Sequence, residues 1–149
     1  MTNILITGAS QGIGRATAIK AAKKKSFVGI NYSKNSDAAE SCLEAVKSHG
    51  GDGIILKCDV ADNIAVKDMF KKFLDKSGTL DGVFNNAGIT GPISPIQDLD
   101  PADLKLLIDT NVSGAFFVAH VLTFYQLNGQ FLKSTDWFRN NTFWVAAAG

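Results

Sequence analysis

The chain is poor in the residues that mark several common functions. It has two cysteines, Cys42 and Cys58, and two histidines, His49 and His120. These share no metal-ligand spacing, so no metal is expected, and the thiols read as buried side chains in a reducing compartment. Net charge is also scarce. Lysine and arginine number 15 against 14 acidic residues, for a net charge of +1. Neither a nucleic acid nor an anionic membrane surface is therefore an expected partner. No segment approaches membrane-spanning length. The N-terminus lacks a basic region followed by a long apolar run, and a soluble cytoplasmic protein is the expectation. Internal repeats and low-complexity segments are missing too. What remains is 149 residues at 46% hydrophobic and 19% charged, enough for one domain with a sizeable core.

Short apolar runs alternate with helical patterns for about the first 120 residues. Ile4–Ile6, Phe27–Ile30, Ile54–Leu56 and Val83–Phe84 are apolar throughout, as strands covered on both faces should be. Between them Ala39, Cys42, Leu43 and Val46 recur at helical spacing, as do Val66, Met69, Phe70, Phe73 and Leu74. Asp62 is the predicted N-cap of that second helix and Gly78 its stop. Pro92, Pro95 and Pro101 punctuate a loop ahead of another helix, through Leu104, Leu107 and Ile108 and onward to Leu122. Strands and helices in this alternation predict right-handed βαβ units, hence a doubly wound α/β fold with a parallel sheet.

Residues 7–14 read Thr7-Gly8-Ala9-Ser10-Gln11-Gly12-Ile13-Gly14, directly after the first strand. A strand feeding a three-glycine turn that opens a helix can grip a phosphate. The first glycine lets the chain reverse, and the second lets the backbone approach a pyrophosphate. The third lets helix and sheet pack closely, and the helix N-terminus offers N–H groups to the anion. Three other turns follow strands: Tyr32-Ser33-Lys34, Asp59-Val60, and Asn85-Asn86-Ala87-Gly88. All four should border one crevice beyond the carboxyl ends of the strands. Taken alone, Asp59 is an ordinary acid at a helix start. With the other turns it becomes an acceptor for an adenine amino group. A site for NAD usually places an acid at the end of the second strand, but Tyr32 stands there. A 2′-phosphate would thus meet no repulsion. Lys34 or Arg15 could pair with it unless both are merely solvated cations, and NADP is expected over NAD.

Together with Asn111-Val112-Ser113-Gly114, these motifs resemble the short-chain dehydrogenase/reductase family over residues 1 to 122. Within it the chain is similar to the 3-oxoacyl-carrier-protein-reductase and glucose-dehydrogenase-like branch. The resemblance implies a Rossmann-type fold, an NADP-bearing crevice, and hydride transfer between the nicotinamide and a carbonyl or alcohol. Gly8, Ser10, Gln11, Gly12, Ile13, Gly14, Tyr32, Ser33, Lys34, Asp59, Val60, Asn86, Ala87 and Gly88 are the expected cofactor-binding residues, and the resemblance implies that Asn86 and Ala87 contact the cofactor ribose. Asn111 would be the active-site asparagine that holds a water in the proton relay, unless it simply kinks or caps its helix.

The family's chemistry also needs a tyrosine with a lysine four residues on, which lowers the tyrosine's pKa, and an upstream serine. Beyond Tyr32 the one tyrosine is Tyr125, followed four residues later by Gly129, and Ser134 stands in no matching motif. No catalytic role is expected of either. Composition changes at the same place. Phe124, Tyr125, Phe131, Trp137, Phe138, Phe143 and Trp144 are half of the chain's aromatic residues, and they follow neither strand nor helix periodicity. Residues 1–122 are expected to be an incomplete dinucleotide-binding domain, truncated after about four strands, and 123–149 an atypical tail. A change of reading frame or an alternative exon end explains both features. A divergent C-terminus packed on the sheet edge is the other reading. Either way, the chain is expected to be catalytically incompetent, as a broken oxidoreductase, a non-catalytic dinucleotide-binding module or an unstable remnant. An open sheet edge and uncovered apolar helix faces would favour a homo-oligomer.

Overall fold

The computed structural model describes residues 1–128. Each predicted strand is present: β1 (Asn3–Ile6), β2 (Phe27–Tyr32), β3 (Asp52–Lys57) and β4 (Gly82–Phe84). They form one parallel sheet in the order β3-β2-β1-β4. Helices α1 (Gly12–Ala22), α2 (Ser36–Ser48) and α3 (Asn63–Ser77) are the crossovers. The first two carry the chain outward to β3. The third brings it back to the far side of β1, so the strand order reverses there.

Pleating divides the core in two. Leu5 and Ile6 are neighbours on β1 and point to opposite faces. Ile6 packs with Val28, Ile30, Ala18, Ala22 and Val46, under α1 and α2. Leu5 packs with Val66, Phe70, Phe73, Val118 and Leu122 on the other face. Gly29 makes the second core possible, because a Cβ there would meet the Phe73 ring at 2.6 Å and Leu5 at 2.8 Å. Both predicted limits of α3 hold. The Asp62 carboxylate accepts the N–H groups of Ile64 and Ala65 at 2.8 and 3.1 Å, and Gly78 ends the helix at φ +72°.

A second long helix follows a short 3₁₀ turn at Ile96–Asp98. It begins as α4 (Pro101–Ile108), with Asp100 accepting the Ala102 N–H at 2.8 Å and proline in the first turn, where its missing N–H costs nothing. It passes through a π turn at Asp109–Gly114 and continues as α5 (Ala115–Leu127). Beyond Leu122 the helix places Tyr125 on Phe70, ring centroids 6.0 Å apart and nearly parallel.

This helix corrects one expectation. Pro101–Gln126 is 26 residues long and contains an 18-residue stretch with a mean hydropathy of 1.4, so one helix is long and apolar enough to cross a membrane by length and composition alone. In the sequence Asp103, Lys105 and Asp109 break it into short apolar runs that only the helix joins. A helix packed on a core passes the same test, and here Val118, Val121 and Leu122 lie in the core formed with α3. Residues 129–149, with Ser134 and most of the aromatic-rich tail, lie outside the described residues.

Candidate functional site

The three glycines of the first turn have three separate jobs. Gly8 and Gly12 sit at φ +62° and +55°, the left-handed region that other residues rarely adopt. A Cβ on Gly12 would meet nothing within 4 Å, so its outer side is open to a ligand. A Cβ on Gly14 would lie 2.4 Å from the Gly8 carbonyl, which makes it the close-packing glycine. At the start of α1, Gln11 gives no side-chain cap, whereas Asn35, Asp62 and Asp100 cap α2, α3 and α4. The first-turn N–H groups of α1 are therefore without a side-chain cap.

Side-chain hydrogen bonds lock this turn to the one after β4. The Thr7 hydroxyl oxygen accepts the N–H groups of Asn86 and Ala87, both at 2.9 Å. The Asn86 amide donates to the carbonyls of Thr7 and Gly8 at 3.0 and 3.2 Å. Asn85 donates to the Ala115 carbonyl at 2.9 Å, tying the end of β4 to α5. Thr7 is fully buried and both asparagines are 8% exposed, so each of these bonds would be costly to lose.

The four turns do border one crevice, of about 540 Å³. Its walls include Gly8, Ser10, Gln11, Gly12 and Ile13 from the first turn, and Tyr32, Ser33 and Lys34 from the second. Asp59 and Val60 come from the third, and Asn86, Ala87 and Gly88 from the fourth. Gly14 is buried behind the first turn. One Asp59 carboxylate oxygen accepts the Ala61 N–H at 3.0 Å and shapes the turn locally. Of the two candidate cations, Lys34 lines the crevice. Arg15 instead reaches α2, where its guanidinium donates to the Ser41 hydroxyl at 3.2 Å and approaches the carbonyls of Ser41 and Ala38.

Asn111 lies in the π turn, outside the crevice lining. Its side chain clips the backbone of Ile89, accepting the N–H and donating to the carbonyl, both at 2.8 Å. Ile89 is a wall residue, so Asn111 holds the wall through its carboxamide. The sequence reading missed Asn31, Asn35, Cys58, Leu106 and Thr110, which also line the crevice. Only Asn31 carried a signal, as a polar residue inside an apolar strand. Cys58 is 4% exposed. Burial, with Asp59 and Asp62 nearby, pushes its thiol up to about 12, so it is an inert wall group rather than a nucleophile.

A parallel sheet with a glycine-turn crevice where the strand order reverses is a doubly wound α/β arrangement of the Rossmann type. The chain belongs to the short-chain dehydrogenase family, whose model matches residues 2–130. It is 40% identical over 114 residues to a 3beta-hydroxysteroid dehydrogenase of Mediterraneibacter gnavus, covering 76% of this chain and 41% of that protein. It is 38% identical over 112 residues to the 3-oxoacyl-(acyl-carrier-protein) reductase FabG of Staphylococcus aureus, covering 75% and 45%. Among solved structures, a 3-ketoacyl-ACP reductase from Sinorhizobium meliloti superposes with a TM-score of 0.77 at 34% identity, over 85% of this chain and 50% of that one. The chain thus spans about half the length of the relatives it matches, or somewhat less.

Proposed function

We propose that these residues bind NADP(H) in the crevice, with the pyrophosphate at the uncapped start of α1. The adenosine half lies towards Lys34 and Asp59, and the nicotinamide half towards Asn86–Gly88. The carrying observation is the contrast among helix starts: α2, α3 and α4 are closed by their own side chains, and α1 alone opens its N–H groups into a crevice shared by all four turns. Lys34 supports NADP over NAD, since a cation there pairs with a 2′-phosphate and the second strand ends in Tyr32 rather than an acid. Fluorescence titration with NADPH and with NADH tests both points. Saturable binding with NADPH tighter is expected. Absence of binding by folded chain overturns the reading.

Bound NADPH supplies a hydride for a carbonyl, and NADP accepts one from an alcohol. The chain's own residues orient the cofactor and, through Asn111 and Ile89, hold one wall beside it. Among the 149 residues no tyrosine has a lysine four positions on, since Tyr32 is followed by Ser36 and Tyr125 by Gly129. We infer that this chain alone binds the cofactor without completing carbonyl reduction. Purified chain offered NADPH and a panel of ketones should show no oxidation above background. Turnover that is lost in Asn111→Ala would contradict that inference.

The change in composition near residue 123 is read as a change of reading frame. Translating the coding DNA in the other frames should reveal a serine-bearing strand and then Tyr-x-x-x-Lys, and its absence from every frame would refute this. A second copy of the chain is the proposed partner of the exposed apolar side of α4 and α5, to be measured by sedimentation.

A further inference from the structure

Asn31 stands next to last in β2, a strand otherwise built of apolar residues, glycine and a terminal tyrosine, and it is 2% exposed. Its carboxamide bonds to segments on both sides of its own strand. Oδ1 accepts the Gly8 N–H at 3.0 Å. Nδ2 donates to the carbonyls of Leu56 and Cys58 at 3.2 and 3.1 Å, and lies 3.4 Å from that of Tyr32. Its backbone carbonyl also accepts the Ala9 N–H at 2.8 Å. Gly8 lies past the end of β1 and Cys58 past the end of β3. At the Gly8 N–H and the Cys58 carbonyl, just past the strand ends, a side chain supplies the hydrogen-bond partner. The amide orientation is fixed by its partners, since a flip would oppose donor to donor at Gly8 and acceptor to acceptor at both carbonyls.

We propose that Asn31 is a positioning residue for dinucleotide binding, coupling the glycine turn after β1 to Asp59 after β3. The inference rests on the cofactor reading above. With its N–H held by Asn31, Gly8 does not donate to a phosphate, and that work falls to the amides at the start of α1. Holding the Cys58 carbonyl fixes the peptide that leads into Asp59. The spacing between the pyrophosphate grip and the adenine acceptor is thereby set by one carboxamide.

The test uses the full 149-residue chain, NADPH as probe and amide hydrogen exchange as a second readout. In the unliganded protein the Gly8 amide should be protected. In Asn31→Leu, which keeps the branched shape and heavy-atom count and loses every polar contact, Gly8 should exchange freely while Leu5 and Ile6 stay protected. NADPH affinity should fall ~tenfold or more, ~1.4 kcal/mol or above. Adding Asp59→Asn to Asn31→Leu should cost less than the two separate losses combined, because the acid is already misplaced. Adding Lys34→Ala should cost its full separate amount. A merely structural role would release Leu5 and Ile6 along with Gly8 and weaken both combinations alike, and either result overturns the proposal. So does an unprotected Gly8 amide in the wild type, a measurement that stands even if Asn31→Leu does not fold. Wild-type binding with an unchanged Asn31→Leu affinity refutes this inference alone. A folded wild type that binds no NADPH refutes the cofactor reading with it.

Discussion

The crevice floor and the outer side of the long helix follow the same physics to opposite ends. At the floor Thr7, Asn31 and Asn86 are buried, and each polar side chain meets partners on a neighbouring turn. Along the helix, Leu104, Ile108, Val112, Phe116 and Phe124 fall on one row of fourth residues and stay 47–63% exposed. The floor is assembled from short turns that each follow their own strand, so the partners of Thr7, Asn31 and Asn86 all come from residues 1–90. The helix row needs an apolar surface that the described residues do not provide. Local turns build a crevice floor largely from their own side chains.

The contrast can be broken or sharpened by substitution. Phe70 is fully buried between the sheet and α5, and Phe70→Ala should cost about 3–5 kcal/mol in a urea melt. A cost under about 1 kcal/mol would mean that the helix side of the core is not packed as described. Thr7→Val strands the buried N–H of Asn86 and the half-buried N–H of Ala87, and about 2–3 kcal/mol of stability should be lost. Lys34→Ala should lower the preference for NADPH over NADH by about tenfold in parallel titrations, with an unchanged melt.

The Cys58 thiol gives a smaller, pH-dependent effect. The fold holds it at about 12 against an ordinary 9.0. The native state thus keeps a proton that the unfolded chain releases, and stability is fully present below pH 9 and declines as pH rises above it. Cys58→Ser should flatten that decline between pH 9 and 10 in melts followed by circular dichroism. Smallest of all, Phe116→Ser on the exposed row should change stability by less than about 0.5 kcal/mol. A loss above 2 kcal/mol would show that the row is covered in solution, and concentration-dependent melting would assign the cover to a second copy.

Sequence legibility follows the same division. The turns at Gly8–Gly14, Tyr32–Lys34, Asp59–Val60 and Asn86–Gly88 were readable because each directly follows a short apolar strand, and the parallel topology then gathers them. Gly78 and Asp62 were readable because caps act within a few residues. Leu106 and Thr110 were not, since the return of α4 to the crevice is decided by packing far along the chain. Arg15 reads like Lys34 as a free cation, yet proximity to Ser41 and Ala38 takes it to α2. Asn111 reads as a site residue, and its bonding to Ile89 depends on a π turn that no local pattern announces. The long apolar helix was hidden because Asp103, Lys105 and Asp109 interrupt the run in the sequence.

The most direct measurement is a calorimetric titration of the folded 149-residue chain with NADPH, repeated on Gly12→Val. Gly12 is open on its outer side at φ +55°, so valine there strains the turn and fills the space a pyrophosphate would enter. Saturable one-site binding by the wild type, lost in Gly12→Val with cooperative unfolding retained, is the predicted result. A cooperatively folded wild type that releases no heat with NADPH and gains no thermal protection from it would contradict cofactor binding at this crevice.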